Sequence, residues 1–205
     1  MGARIILSAV IACASGVLLF SSNCPAVERP PAIVSFDEAI KRWHSPEEVS
    51  AWIGASFRYD RARALQLSET QRSAVGNADV IHTPAQFYAR PQGICVDLAR
   101  FAVETLTAVA PATKPRYVMI EFDPVIVDGE VLRRHWLASF ETDRGHYFFA
   151  DSSRPSHIDG PYASLEAFIA AYAIFRRQTI VSFQEASTYR RRMKSPAVGQ
   201  MRDDL

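Results

Sequence analysis

Pro91-Gln92-Gly93-Ile94-Cys95-Val96-Asp97-Leu98-Ala99-Arg100 joins a turn to a helix and puts a cysteine at the joint. Pro-Gln-Gly is turn-prone. The residues after it are apolar at helical spacings: Val96, Ala99, Val103 and Leu106 on one row, Leu98, Ala102 and Val109 on another. Pro91 and Gly93 make a natural helix entry, so Cys95 falls in the first turn. A thiol so placed sees unpaired backbone N–H groups and the positive end of the helix dipole. Both favour thiolate, the nucleophilic form. A histidine and an acid would complete the machinery, and the chain offers His135 and Asp151 downstream, in that order.

The bounds come from composition. With 205 residues, 48% hydrophobic and 22% charged, the chain is long enough and ordinary enough for one globular domain with extras. A net charge of +1 calls for neither nucleic acid nor an acidic partner. The start reads as an export signal over residues 1–26: Arg4, then the apolar run Ile5 to Phe20, too short to favour a span, then small and polar residues. Cys24-Pro25-Ala26 is a serviceable cleavage site, which makes the mature protein periplasmic or secreted. A lipid anchor on Cys24 is the less favoured option, and Val10-Ile11-Ala12-Cys13 has the letters of a lipoprotein box but lies too early. Cleavage after Ala26 leaves Cys95 as the lone cysteine. Exported chains usually pair their cysteines or lack them, so a single thiol is either reactive or a small buried hydrophobe.

Residues 27–34, with Pro30-Pro31, read as a linker, residues 35–188 as the folded domain, and residues 189–205, with Arg190-Arg191-Arg192-Met193-Lys194, as a solvated basic tail. Within the domain, Ser35 with Glu38 resembles a capping box, and Ser45-Pro46-Glu47-Glu48 is a second helix start. Arg61 to Arg72 reads as a charged helix, Ser73 to Asp79 as a polar break, Thr83-Pro84 as a short helix start, and the Cys95 helix runs to Ala110-Pro111. The pattern then changes. Arg116–Phe122, Val131–Phe140 and His146–Asp151 read as strands separated by Asp128-Gly129 and Thr142-Asp143-Arg144-Gly145. Ser152 to Pro161 reads as a loop, Ser164 caps a helix, and Thr179–Phe183 suggests a last strand on a sheet edge. Helices followed by an antiparallel sheet make an α+β domain, with the sheet packed on the Cys95 helix.

The hairpin sets a geometric test. A turn centred on Asp143 places His135 opposite Asp151, on one face of the sheet and close enough for the acid to fix the imidazole tautomer. A slip of one residue puts them on opposite faces. Taken singly, His135 reads more simply as a surface residue beside Arg133 and Arg134, and Asp151 as the cap of a turn with Ser152 and Ser153.

The whole arrangement resembles the transglutaminase-like superfamily, which shares the papain-type Cys–His–Asp machinery. Ser45 through Trp52 to Asp60 resembles the upstream helix of such domains. Thr83-Pro84 followed by Gly93-x-Cys95-x-Asp97-x-Ala99 resembles their nucleophile segment, His135-Trp136-Leu137 the histidine strand, and Phe149-Ala150-Asp151-Ser152 the acid strand. Within the superfamily, Thr83-Pro84 and the export signal lean toward bacterial transglutaminase-like cysteine peptidases. Members of that group often carry Asp just before the cysteine, where this chain has Ile94. The resemblance implies a papain/transglutaminase-like core and a thioacyl-enzyme: Cys95 attacks an acyl carbon, His135 accepts and returns the proton, and Asp151 orients His135. An oxyanion hole is also required. The Cys95 backbone N–H is one donor, and Gln92 is preferred to Gln86 as the other.

The resulting expectation is an exported cysteine hydrolase of amide bonds, peptide bonds first, acting on a peptide or protein substrate. The alternatives are a non-catalytic binding or scaffold module on the same fold and a transglutaminase that passes the acyl group to an amine. No cofactor is expected. Cys95, His82, His135, His146, His157 and Asp151 could each ligate zinc, but none sit at the close spacing of zinc motifs. Calcium serves some relatives, but no acidic loop of the EF-hand type occurs here.

Overall fold

The computed structural model describes residues 34–68 and 81–189. The expected signal segment with Cys24, most of the linker, the polar break around Gly76-Asn77 and the basic run from residue 190 lie outside the described residues.

The first half is helical, and its caps are those the sequence supplies. Helix α1 (Phe36–Ile40) is capped by Ser35, whose hydroxyl accepts from the Glu38 N–H. The box is only half made, because the Glu38 carboxylate pairs with Lys41 at 2.9 Å. Helix α2 (Pro46–Ser56) begins on Ser45 with proline at its first position. Strand β1 (Arg58–Tyr59) follows, then α3 (Arg61–Gln66), capped by Asp60 and shorter than its charges suggest. Helix α4 (Pro84–Ala89) has a complete capping box between Thr83 and Gln86, which occupies the Gln86 side chain. Strand β2 (Gln92–Gly93) leads directly into α5 (Cys95–Val109).

β1 and β2 form a two-residue parallel pair, with Arg58 N–H donating to Pro91 and Asp60 N–H to Gly93, each at 2.8 Å. A ladder this short leaves no hydrophobic alternation to read. Its effect is to fix the end of α2 against the entry of α5.

The second half is one antiparallel sheet. Its strands are β3 (Arg116–Val127), β4 (Glu130–Thr142), β5 (Gly145–Phe149), β6 (Asp159–Tyr162) and β7 (Ile180–Ala186), in the order β6-β5-β4-β3-β7. β7 lies on an edge, as expected. β6 begins inside the stretch read as a loop and ends one residue beyond it. Helix α6 (Leu165–Arg176) precedes β7. Strand alternation divides the core between two faces. Ala138, Phe140 and Phe149 pack with Leu98, Phe101 and Leu106 of α5. Leu137, Phe148, Val118 and Ile120 pack with Phe168 and Tyr172 of α6. Fully burying an apolar side chain such as Leu98 contributes about 1.5–3 kcal/mol, so α5 is held mainly by this packing.

The hairpin register differs from the one that pairs His135 with Asp151. Thr142 faces Gly145 and Ala138 faces Phe149, so the turn is the two residues Asp143-Arg144 and lies one place off a turn centred on Asp143. Continued as a strand, this register would set Ser152 opposite His135 and send Asp151 to the other face. The strand does not continue. β5 stops at Phe149, and Ala150 takes φ +58°, a left-handed conformation unusual for a residue with a Cβ. That reversal returns Asp151 to the face of His135.

Candidate active site

Cys95 is the first residue of α5 and the free cysteine among the described residues. Its approach is built around Asp97, two places on. The fully buried Asp97 carboxylate accepts from Ile94 N–H at 3.0 Å and from His82 N–H at 2.8 Å, and it pairs with Arg63. Asp97 therefore points away from the thiol and holds the entry loop, α3 and residue 82 together, as its sequence position suggests. Gly93 passes so close to this carboxylate that a Cβ there would lie 2.8 Å from Oδ2.

His135 lies on β4, 7% exposed, with its ring parallel to that of Tyr172 at 6.2 Å. Its Nε2 is 3.1 Å from Asp151 Oδ1, and its ring lines the larger cavity together with Cys95. Burial by itself would push the imidazole down. The Asp151 carboxylate and the Cys95 thiol outweigh it and raise His135 to about 9.

Asp151 is 4% exposed and fully engaged. Oδ1 accepts from Ser153 N–H and Ser153 Oγ, both at 2.8 Å, and Oδ2 accepts from the Tyr172 hydroxyl at 2.8 Å. Burial would raise its carboxyl. The bonds from His135, Ser153 and Tyr172 prevail and hold it well below the usual carboxylate range. The turn with Ser153 and the contact with His135 are made by the same carboxylate.

The fourth sequence candidate is not brought to the thiol. The Gln92 amide donates to Asp60 Oδ2 at 3.3 Å, and Gln92 lines neither cavity beside Cys95. Tyr59 stands there instead, on the strand paired with Gln92-Gly93. Tyr59 is 47% exposed overall, and desolvation of its hydroxyl, with Cys95 adding to it, pushes the group up to about 12.

Two cavities meet at Cys95, of about 100 Å³ and about 360 Å³. Tyr59, Cys95, Leu132, Arg133 and Arg134 line both, whereas His135 lines only the larger. A thiol, an imidazole and a buried carboxylate in series, opening on a cleft, can perform nucleophilic acyl chemistry. Among the described residues no group of three or more His, Cys, Asp or Glu side chains is placed to hold a metal ion.

The sequence reading missed three residues here. Tyr172 was legible only as an apolar helix position, although a buried tyrosine hydroxyl needs a partner. Arg176 bonds that hydroxyl at 2.9 Å from one turn further on. Tyr59 carried no signal, because the β1–β2 pair carries none.

No curated protein matches the chain. Among solved structures, calcium-bound LapG of Legionella pneumophila aligns with a TM-score of 0.40 and 17% identity, covering 75% of this chain and 73% of that one. A second structure of Legionella pneumophila LapG aligns at 0.32 and 16%, covering 64% and 74%. Residues 38–166, well over half of the chain, match the family described as the transglutaminase-like domain. They contain Cys95, His135 and Asp151, the three side chains joined above, and the chain belongs to that transglutaminase-like family.

Proposed function

We propose that the protein is an exported thiol hydrolase of amide bonds, with peptides or proteins as substrates. The observation that carries this reading is the Cys95 thiol and His135 on the wall of one cleft, with His135 hydrogen-bonded to the buried Asp151 carboxylate. His135 takes the thiol proton as Cys95 Sγ forms a bond to the acyl carbon. The carbonyl oxygen gathers charge beside the Cys95 backbone N–H and the Tyr59 hydroxyl. The carbon–nitrogen bond then breaks, and His135 delivers its proton to the leaving nitrogen. Water attacks the thioester with His135 as base, the carbon–sulfur bond breaks, and the proton returns to Sγ. Asp151 holds the ring in one orientation throughout. Export rests on Arg4 and the apolar run Ile5 to Phe20. Membrane contact would come only through that segment or a lipid on Cys24.

The test is the alkylation rate of Cys95 against pH, read by mass spectrometry, in the full chain and in His135→Ala and Asp151→Ala. A free thiol follows one titration near about 8.5. The proposal expects reaction well below that pH, lost in His135→Ala. A Cys95 inert until the protein unfolds would refute the enzyme and leave a binding module on the same fold.

A further inference from the structure

We infer that the His135 side of the cleft takes a peptide residue bearing a carboxylate, gripped by Arg176. The inference rests on the hydrolase reading above and deepens it to a substrate class.

The chemistry assigns the two sides. His135 must deliver a proton to the leaving nitrogen, so the leaving residue lies on the side that His135 lines. The acyl residue then lies in the smaller cavity. The residues special to that cavity are Ala64, Leu67, Ile81, Ile94, Val96, Val131 and Trp136 with one serine, Ser68.

The leaving side has a different character. Besides His135, the residues special to it include Ser152, Ser153, Arg176 and Gln178, and no Asp or Glu lines it. Arg176 spends one N–H on the Tyr172 hydroxyl at 2.9 Å, and its guanidinium lies 5.2 Å from the Phe122 ring centroid. No carboxylate among the described residues pairs with it. A guanidinium braced on one edge keeps donors in a fixed fork, the geometry that matches a carboxylate. A guanidinium without a carboxylate partner on the wall of the cleft is the complement of a peptide residue that brings a carboxylate. That carboxylate can belong to an acidic side chain or to a free C-terminus.

The experiment uses the full chain and reads protection of Cys95 from iodoacetamide by mass spectrometry. The competitors are acetyl-Ala-Asp-amide against acetyl-Ala-Asn-amide, for a side-chain acid, and acetyl-Ala-Ala with a free carboxylate against its amide, for a terminal one. The expected result is that one acid protects at about ten-fold lower concentration than its neutral partner, as fits a hydrogen bond to a charged group. Arg176→Gln should bring that ratio to about one, and Arg176→Lys should keep part of it. Equal protection by acid and amide, protection by neither, or a ratio unchanged in Arg176→Gln would overturn the inference and leave the hydrolase standing. A Cys95 inert without any competitor would overturn both.

Discussion

Asp151→Asn swaps a buried charge for an amide of nearly the same shape. In the native protein the Asp151 carboxylate and the Cys95 thiol together hold His135 at about 9, against 6.5 for a free imidazole, in spite of burial. At about 1.4 kcal/mol per pH unit, this difference is roughly 3 kcal/mol of interaction. The sign follows from linkage. A group raised on folding stabilises fully below its unfolded value, and the contribution is lost as pH climbs through the folded value. The wild-type protein should therefore lose roughly 3 kcal/mol of unfolding free energy between about pH 6.5 and 9.5. In Asp151→Asn the carboxylate's share is gone and only the Cys95 thiol still opposes burial, so His135 falls and the slope across this window shrinks. The variant should also lose about 3–5 kcal/mol near pH 6, because one partner of a buried pair is gone. Urea denaturation of both proteins at half-unit pH steps measures this, with His135→Gln as a second protein that should lack the slope. A wild-type curve flat from pH 6.5 to 9.5 refutes the reasoning, as does the same slope in all three. If neither variant folds, the wild-type curve alone decides.

Tyr172→Phe keeps the ring against Phe168, 5.1 Å away, and removes one donor from Asp151. It should cost about 1.5–3 kcal/mol in urea denaturation and slow Cys95 alkylation at pH 6 more than at pH 9; a normal rate at pH 6 would show that Asp151 does not need the hydroxyl. Gly93→Ala would set a Cβ 2.8 Å from Asp97 Oδ2, against a carboxylate fixed by three donors. A loss of about 1–3 kcal/mol is expected, with Cys95 reactivity falling as the entry loop shifts; a thermal midpoint within 1 °C of wild type would contradict that packing. Ala150→Val puts a β-branched residue at φ +58°. It should cost more than the ~1–2 kcal/mol of a left-handed alanine and abolish the low-pH alkylation arm; retention of that arm would show that the reversal is not what aims Asp151.

Which parts of this were legible in the sequence follows from the range of the forces involved. Caps are local, and Ser35, Ser45, Thr83 and Ser164 could all be read as helix starts. The apolar rows of α5 and the β-branched runs of β3 and β4 carry their own periods. The order Cys95, His135, Asp151 and the resemblance built on it gave the family. What failed was what depends on partners far along the chain. Gln92 looked free to serve the site because nothing near it in sequence reveals Asp60 as its acceptor. Tyr59 joined the site through a two-residue ladder. The hairpin was misplaced by one residue because Thr142-Asp143-Arg144-Gly145 is compatible with more than one loop length, and the choice is made by cross-strand packing.

That misplacement also shows how a thiol and an imidazole from opposite faces of a sheet come to meet. Cys95 begins the helix that covers one face, while His135 points with Leu137 to the face covered by Tyr172. A strand alongside β4 at His135 would wall them apart. β5 ends opposite Ala138, so the edge of β4 at His135 has no strand beside it on that side. The chain leaves the sheet through the left-handed Ala150, and the same reversal carries Asp151 behind the imidazole, where Ser153 and Tyr172 hold it. The early end of β5 thus performs two tasks: it leaves the edge of β4 at His135 open, and it supplies the acid for Nε2. A hairpin in the simpler register could have paired His135 with Asp151 across a continuous ladder, but that ladder would have closed the route to the thiol.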